Sequence, residues 1–174
     1  AVRALAGLDL LAADRARETA AFLARTTPRD VVDLLQWLQA ARVVGERVPV
    51  PLPPDPATLL AAHRAADGGW AKRPGGPGST YWTYLALLCL REAGIGAARP
   101  GKAAAFLRGR QLEEGGFGES GAARRASTNA TAAALGATRL LPGAWEEVRS
   151  RGLAFLAAMR LPGGGFRAGP QVPV

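Results

Sequence analysis

One feature constrains this chain more than any other: three Gly-Gly-aromatic triplets set nearly equal distances apart. They are Gly68-Gly69-Trp70, Gly115-Gly116-Phe117 and Gly164-Gly165-Phe166. The step is 47 residues from Trp70 to Phe117 and 49 from Phe117 to Phe166. Ala105-Phe106-Leu107 returns as Ala154-Phe155-Leu156 after 49, and Thr83 returns as Thr131 after 48. A weaker copy lies upstream, where Asp33 stands 50 before Thr83 and Ala21-Phe22-Leu23 precedes it. A step near 48 residues held at several positions predicts tandem supersecondary units, each burying its apolar face against the next.

Each unit reads as two helices. An outer helix carrying the Ala-Phe-Leu core spans roughly 15–25, 56–66, 101–111 and 147–160. It is expected to run to the Gly-Gly turn, where glycine would supply the positive φ of a helix C-cap. After a polar loop comes a second helix, roughly 30–43, 80–93 and 128–141. Ser79 or Thr80, and Ser127 or Thr128, are candidate N-caps. Pro28 and Pro100 mark helix starts and Pro142 an end. Val48–Pro56 reads as an extended connector, residues 1–13 as one further helix, and the tail after Phe166 as frayed. The second helices are apolar nearly all round, as in Tyr84-Leu85-Ala86-Leu87-Leu88, which predicts burial on all sides. Charges such as Arg108, Arg110, Glu146 and Glu147 put the first helices in water. Inner helices ringed by outer ones describe an all-α solenoid or α/α toroid.

Composition narrows the function. Hydrophobic residues at 48% and charged residues at 21% give a packed core rather than disorder. A single cysteine, Cys89, and a single histidine, His63, exclude an internal disulfide and any Cys₂His₂ or Cys₄ zinc site. No apolar window approaches ~18 residues, so no membrane span is expected, and Asp9, Asp14 and Arg15 break any signal-peptide pattern. The expected location is therefore cytoplasmic. Net charge is +8, and all the cations but Lys72 and Lys102 are arginine. These arginines are scattered rather than striped and no nucleic-acid motif accompanies them, so nucleic acid is not an expected partner. Anionic small-molecule groups such as diphosphate are.

The repeat itself carries a family likeness. Lys102, three residues, Phe106-Leu107, three residues, Gln111, three residues, Gly115-Gly116-Phe117 resembles the QW repeat of triterpene cyclases. Arg151 through Phe155-Leu156 and Arg160 to Gly164-Gly165-Phe166 keeps the spacing with Arg at the Gln position. Leu59-Leu60 through Arg64 to Gly68 and Trp70 is a looser copy. In this motif the aromatic packs back on a neighbouring outer helix, while the Gln or Arg side chain binds turn amides or carbonyls and ties repeats together. The period and turns also look like the β subunits of protein prenyltransferases. Against the stretch of those subunits that holds a zinc-binding His, Arg73-Pro74-Gly75 matches the turn, Tyr81 the Tyr and Thr83 the Thr. Trp82 stands at the His position. One repeat earlier Asp30 matches the Asp ligand, but Val32 stands where the Cys belongs. The zinc trio is thus not present, and neither are the DxDD acid of squalene-hopene cyclases and a DDxxD metal-diphosphate motif. No cofactor is expected. The resemblance covers about residues 16 to 170, and the 174 residues supply three to three and a half of the family's roughly six hairpins. The chain then reads as one prenyltransferase/terpene-cyclase-like repeat domain, a fragment or a half-toroid completed by a second copy or a partner chain.

His63 beside Arg64 has no signalled carboxylate or nucleophile partner and reads as a surface or interface residue. Cys89, in an apolar run, reads as a buried inert thiol. Tyr81, Trp82 and Tyr84 either line a cavity for a carbocation or isoprenoid, or fill the ring centre as core. Trp37 is a candidate for the equivalent inward position one repeat earlier. Lys72 and Arg73 lie in a Gly-rich loop before an inner-helix N-terminus, where an anion is favoured. Arg124 and Arg125 occupy the corresponding loop one repeat later. Two basic pairs converging at one mouth of the ring form the candidate ligand site, with Tyr81 and Trp82 below. By resemblance the chain binds an isoprenoid or other long apolar ligand in the ring centre. Any catalysis would be transferase or cyclase chemistry through a carbocation, and the missing zinc ligands and general acid count against it. The alternative is a non-catalytic scaffold that binds partners or itself.

Overall fold

The computed structural model describes residues 13–50, 55–97 and 99–170. The expected helix over 1–13, the middle of the Val48–Pro56 connector and the end of the tail lie outside these residues, save Ala13. Within them the chain forms seven helices: α1 (Ala13–Arg25), α2 (Val31–Gly45), α3 (Pro56–Ala62), α4 (Thr80–Glu92), α5 (Pro100–Arg108), α6 (Thr128–Thr138) and α7 (Glu146–Ala158). Extended pairing among the described residues is limited to isolated bridges, so the protein is all-α.

Side-chain chemistry sets where these helices begin. The Asp30 carboxylate accepts from the amides of Val32 and Asp33 at 2.8 and 2.9 Å and starts α2. Ser79 Oγ accepts from Trp82 N at the start of α4, and Ser127 Oγ from Ala130 N at the start of α6. These bonds satisfy amides that a helix cannot pair internally. Pro56 and Pro100 open α3 and α5, where the missing N–H costs nothing.

The two kinds of helix differ in burial as their sequences demand. α4 lies between α2 and α6. It buries Leu85, Ala86, Leu87, Cys89 and Leu90, and α6 buries Ala130, Thr131, Ala133, Ala134 and Ala137. By contrast α1 buries only Ala16 and Leu23, and α7 only Gly152 and Phe155. Trp37 does not turn toward the open face of α4. It is buried, and its indole N–H donates to Leu23 O at the end of α1.

The Gly-Gly turns are not helix C-caps. α3, α5 and α7 stop at Ala62, Arg108 and Ala158, and the residues that follow stay right-handed. The glycines sit at the tips of small hairpins closed by the bridges Arg64–Trp70, Gln111–Phe117 and Arg160–Phe166. The helix has already ended, and the left-handed φ of Gly68 (93°) and Gly115 (88°) reverses an extended strand. That reversal carries the aromatic back beside the helix it follows.

Identical contacts recur from one unit to the next. Trp70 N donates to Thr83 Oγ1 at 2.9 Å, and Phe117 N donates to Thr131 Oγ1 at 2.9 Å. Thr80 donates its amide to Glu119 O and its hydroxyl to Gly118 O, at 3.0 and 2.7 Å. Thr128 likewise donates to Ala168 O (2.9 Å) and Arg167 O. Thr80, Thr83 and Thr131 are buried in an apolar core and Thr128 is half-buried, and each has its partner. The first two turns are also covered by the next flanking helix. A methyl at Gly69 would meet the Phe106 ring at 2.6 Å, and one at Gly116 the Phe155 ring at 2.7 Å.

Candidate functional site

The predicted site residues fall in the first turn of α4 and in the loops that precede α4 and α6. Tyr81 and Trp82 occupy the first turn of α4, half-buried, with ring centroids 6.3 Å apart and planes at 86°. Tyr84, one turn on, is also half-buried and lies against α6, where a Cβ on Gly136 would meet its ring at 2.6 Å. With Leu88 the three rings are the half-buried apolar side chains of α4, while Arg91 near its end is exposed.

Lys72 and Arg73 are exposed on the loop that leads into α4, and Arg124 and Arg125 are exposed on the loop that leads into α6. The structure brings the two loops together, because Ser79 and Thr80 at the end of the first bond Glu119 and Gly118 at the start of the second. None of the four cations has a side-chain hydrogen bond or ion pair among the described residues. The α4 N-terminus is not vacant, however. The Glu119 carboxylate accepts from the Ser79 hydroxyl and from Tyr81 N (3.4 Å), so the chain places its own carboxylate where an anion was expected. Glu119 lies 40 residues from Ser79, and no local pattern flags it. An anionic ligand would therefore rest on the exposed basic side chains rather than on the α4 amides.

Two carboxylates hold these loops in shape. Asp67 accepts from Gly69 N and Gly78 N, each at 3.2 Å, and from Arg110 at 2.9 Å. Glu114, 47 residues on, accepts from Ala126 N at 2.7 Å. The Gln111 side chain behaves as the repeat motif implies: its amide donates to Gly115 O within its own turn and to Val148 O at the start of α7, both at 2.9 Å. Arg64, at the corresponding place, lies 3.8 Å from the centre of the Trp70 ring and reaches Arg99 O at 3.5 Å.

His63 is buried, not a surface residue. Its Nδ1 lies 3.1 Å from Ala71 O, and a carbonyl only accepts, so Nδ1 carries the proton in that bond. The ring packs inside because the hairpin folds Ala71 back over the end of α3. Cys89 is buried as expected, with its thiol directed at Val31 O (3.5 Å) and pushed up to about 12 by burial. Among the described residues no three His, Cys, Asp or Glu side chains come together to hold a metal. The zinc that the family resemblance implies does not fit: Trp82 offers no ligand, and Asp30 is committed to the α2 amides.

Sequence reasoning missed one cavity. It has a volume of about 550 Å³ and opens between α3 and the start of α5, lined by Leu60, Trp70, Leu90 and Ile95, with Arg64 and Lys102 at its walls. None of the predicted site residues lines it. Its walls come from three separate segments, so no single motif announces it.

No protein-family model matches this chain, and no curated protein matches it. No helix among the described residues is long and apolar enough to cross a membrane.

Proposed function

We propose that the chain is a repeat unit of the α/α-toroid kind and binds a long apolar ligand, an isoprenoid or a molecule of similar shape, against the Tyr81–Trp82–Tyr84 face. In this reading α2, α4 and α6 are consecutive inner helices of an arc, and α1, α3, α5 and α7 its outer layer. The observation that supports it best is the partial exposure of three aromatic rings on the central helix, between two loops that carry four unpaired cations. Aromatic faces suit a flexible hydrocarbon, and cations at its end suit a diphosphate. The reading is of binding, since among the described residues no zinc trio gathers at these rings and the Glu119 carboxylate beside Tyr81 is taken up by the α4 N-terminus. In this reading its architecture is that of the prenyltransferase and terpene-cyclase repeat proteins.

Isothermal titration with farnesyl or geranylgeranyl diphosphate tests this. Binding is expected, weakened about tenfold or more by Lys72→Ala with Arg73→Ala, since ~1.4 kcal/mol is a tenfold change. Trp82→Ala should weaken farnesol as well as the diphosphate. Absence of heat at high ligand concentration rejects the reading.

The second reading, a self-associating scaffold, draws on a different observation: Phe22 and Phe166 are large apolar side chains left exposed near the two ends of the described chain.

A further inference from the structure

Two seams of this chain are built alike and filled differently. In the first, the turn after α3 packs on α5; in the second, the turn after α5 packs on α7. A methyl on Gly68 would strike Lys102 O and one on Gly115 would strike Arg151 O, each at 2.8 Å. Gly69 and Gly116 lie on Phe106 and Phe155 in the same way. The polar link recurs too. Gln111 donates to Val148 O, seven residues before Phe155, and Arg64 reaches Arg99 O, seven before Phe106. Three residues further back stand Trp145 in the second seam and Gly96 in the first. Trp145 is 1% exposed, and the Arg108 guanidinium lies 4.0 Å from the centre of its ring. The residue 47 before Arg108 is Ala61. The two side chains that close the second seam are thus a hydrogen and a methyl in the first, and a Cβ on Gly96 would meet nothing within 4 Å. The cavity of about 550 Å³ opens there, with Ala61 and Gly96 in its lining. Its described lining runs from Ala57 to Lys102, far from both ends of the chain.

Shape and charge together say what suits this space. Leu60, Trp70, Leu90 and Ile95 give it apolar walls, and an apolar cavity of this kind takes in a flat ring. The charged groups of its described lining are Arg64, Arg99 and Lys102, with no carboxylate beside them. None of the three has an ion pair among the described residues. Burial, and then the Arg99 charge, hold the Arg64 guanidinium below its ordinary value, as expected of cations short of an anion. We propose that the cavity is a binding site for a flat aromatic molecule bearing an anionic group, its ring in the space that Trp145 fills in the second seam and its anion on Arg99 and Lys102. The site is separate from the Tyr81–Trp82–Tyr84 face, none of whose residues lines it.

Isothermal titration with indolepropionate, an indole with a carboxylate on a short tether, tests this. The 174-residue chain should bind one equivalent with a Kd below about 1 mM. Gly96→Trp, which gives the first seam the side chain of the second, should abolish binding, and Gly96→Phe should weaken it tenfold or more. Gly96 is exposed and its backbone is not left-handed, so the fold tolerates both changes, which circular dichroism verifies. Arg99→Gln with Lys102→Gln should weaken indolepropionate about tenfold and leave the binding of neutral indole unchanged. Lys72→Ala with Arg73→Ala should alter none of these values, which separates this site from the isoprenoid one. The proposal is overturned by an unaltered chain that gives no heat at several millimolar indolepropionate, or by binding that survives Gly96→Trp. Full affinity after Arg99→Gln with Lys102→Gln overturns it as well, and so does tighter binding of the straight-chain acid decanoate than of indolepropionate.

Discussion

At the scale of single residues, the glycines report where the chain has room and where it has none. Gly116 lies against Phe155 and Ala126, with a Cβ placed 2.5 Å from the latter's methyl. Gly116→Ala should therefore cost about 1–3 kcal/mol through overpacking. At ~2–4 °C per kcal/mol for a chain of this size, Tm should fall by several degrees. Gly163→Ala, in open space with no left-handed backbone to violate, should change stability by less than about 0.5 kcal/mol. Equal Tm values for the two variants would contradict the packing. Cys89 gives a second residue-scale expectation. Burial, with the Glu92 charge adding to it, raises the thiol from its ordinary 9.0 to about 12. The folded state keeps the proton longer than the unfolded one. This contribution is complete below pH 9 and is lost as pH rises toward 12, by at most ~1.4 kcal/mol per pH unit. Denaturant titrations at pH 8 and pH 10.5 should show a steeper loss for the native chain than for Cys89→Ala.

At the scale of elements, most helices announce themselves. Asp30, Ser79, Ser127 and the prolines place the starts of α2, α4, α6 and α5 within a residue or two of where sequence puts them, because capping is local chemistry. Removing one such cap, in Ser127→Ala, should cost about 1 kcal/mol. Because the same hydroxyl lies at the α6 terminus, helical circular dichroism should fall at the same lower temperature as tertiary fluorescence. Helix ends were harder to read. Sequence runs α3, α5 and α7 to their glycines, yet each stops several residues short, since the hairpin pairing of Arg64, Gln111 and Arg160 with their aromatics competes for the same backbone groups. The burial of His63 was hidden for the same reason: its partner Ala71 is brought over it by that hairpin. Glu119 and the α3–α5 cavity were not legible because they join segments tens of residues apart. The half-buried place of Tyr81, Trp82 and Tyr84 in α4 and the exposure of the basic side chains follow from stretches contiguous in the chain.

At the scale of the molecule, stability should grade along the chain. α4 is enclosed by neighbours on both sides, while the Gly164–Phe166 hairpin and α7 have one side free. Units joined only to their neighbours open from the ends. Amide exchange should accordingly be slowest in α4, and faster by a factor of ten or more in α7 and the last hairpin. Uniform protection across α4 and α7 would show a single cooperative block instead.

The threonine bonds that join Thr80 to Gly118 and Thr128 to Arg167 have a consequence for protein engineering. Each joint uses backbone carbonyls on one side and a hydroxyl on the other, so it asks little of the particular side chains it meets. A duplicated stretch running from just after α4 to just after α6 would present familiar sockets at both of its borders. Arrays of chosen length could then be spliced from this one cassette, without redesigning the interior for every new size.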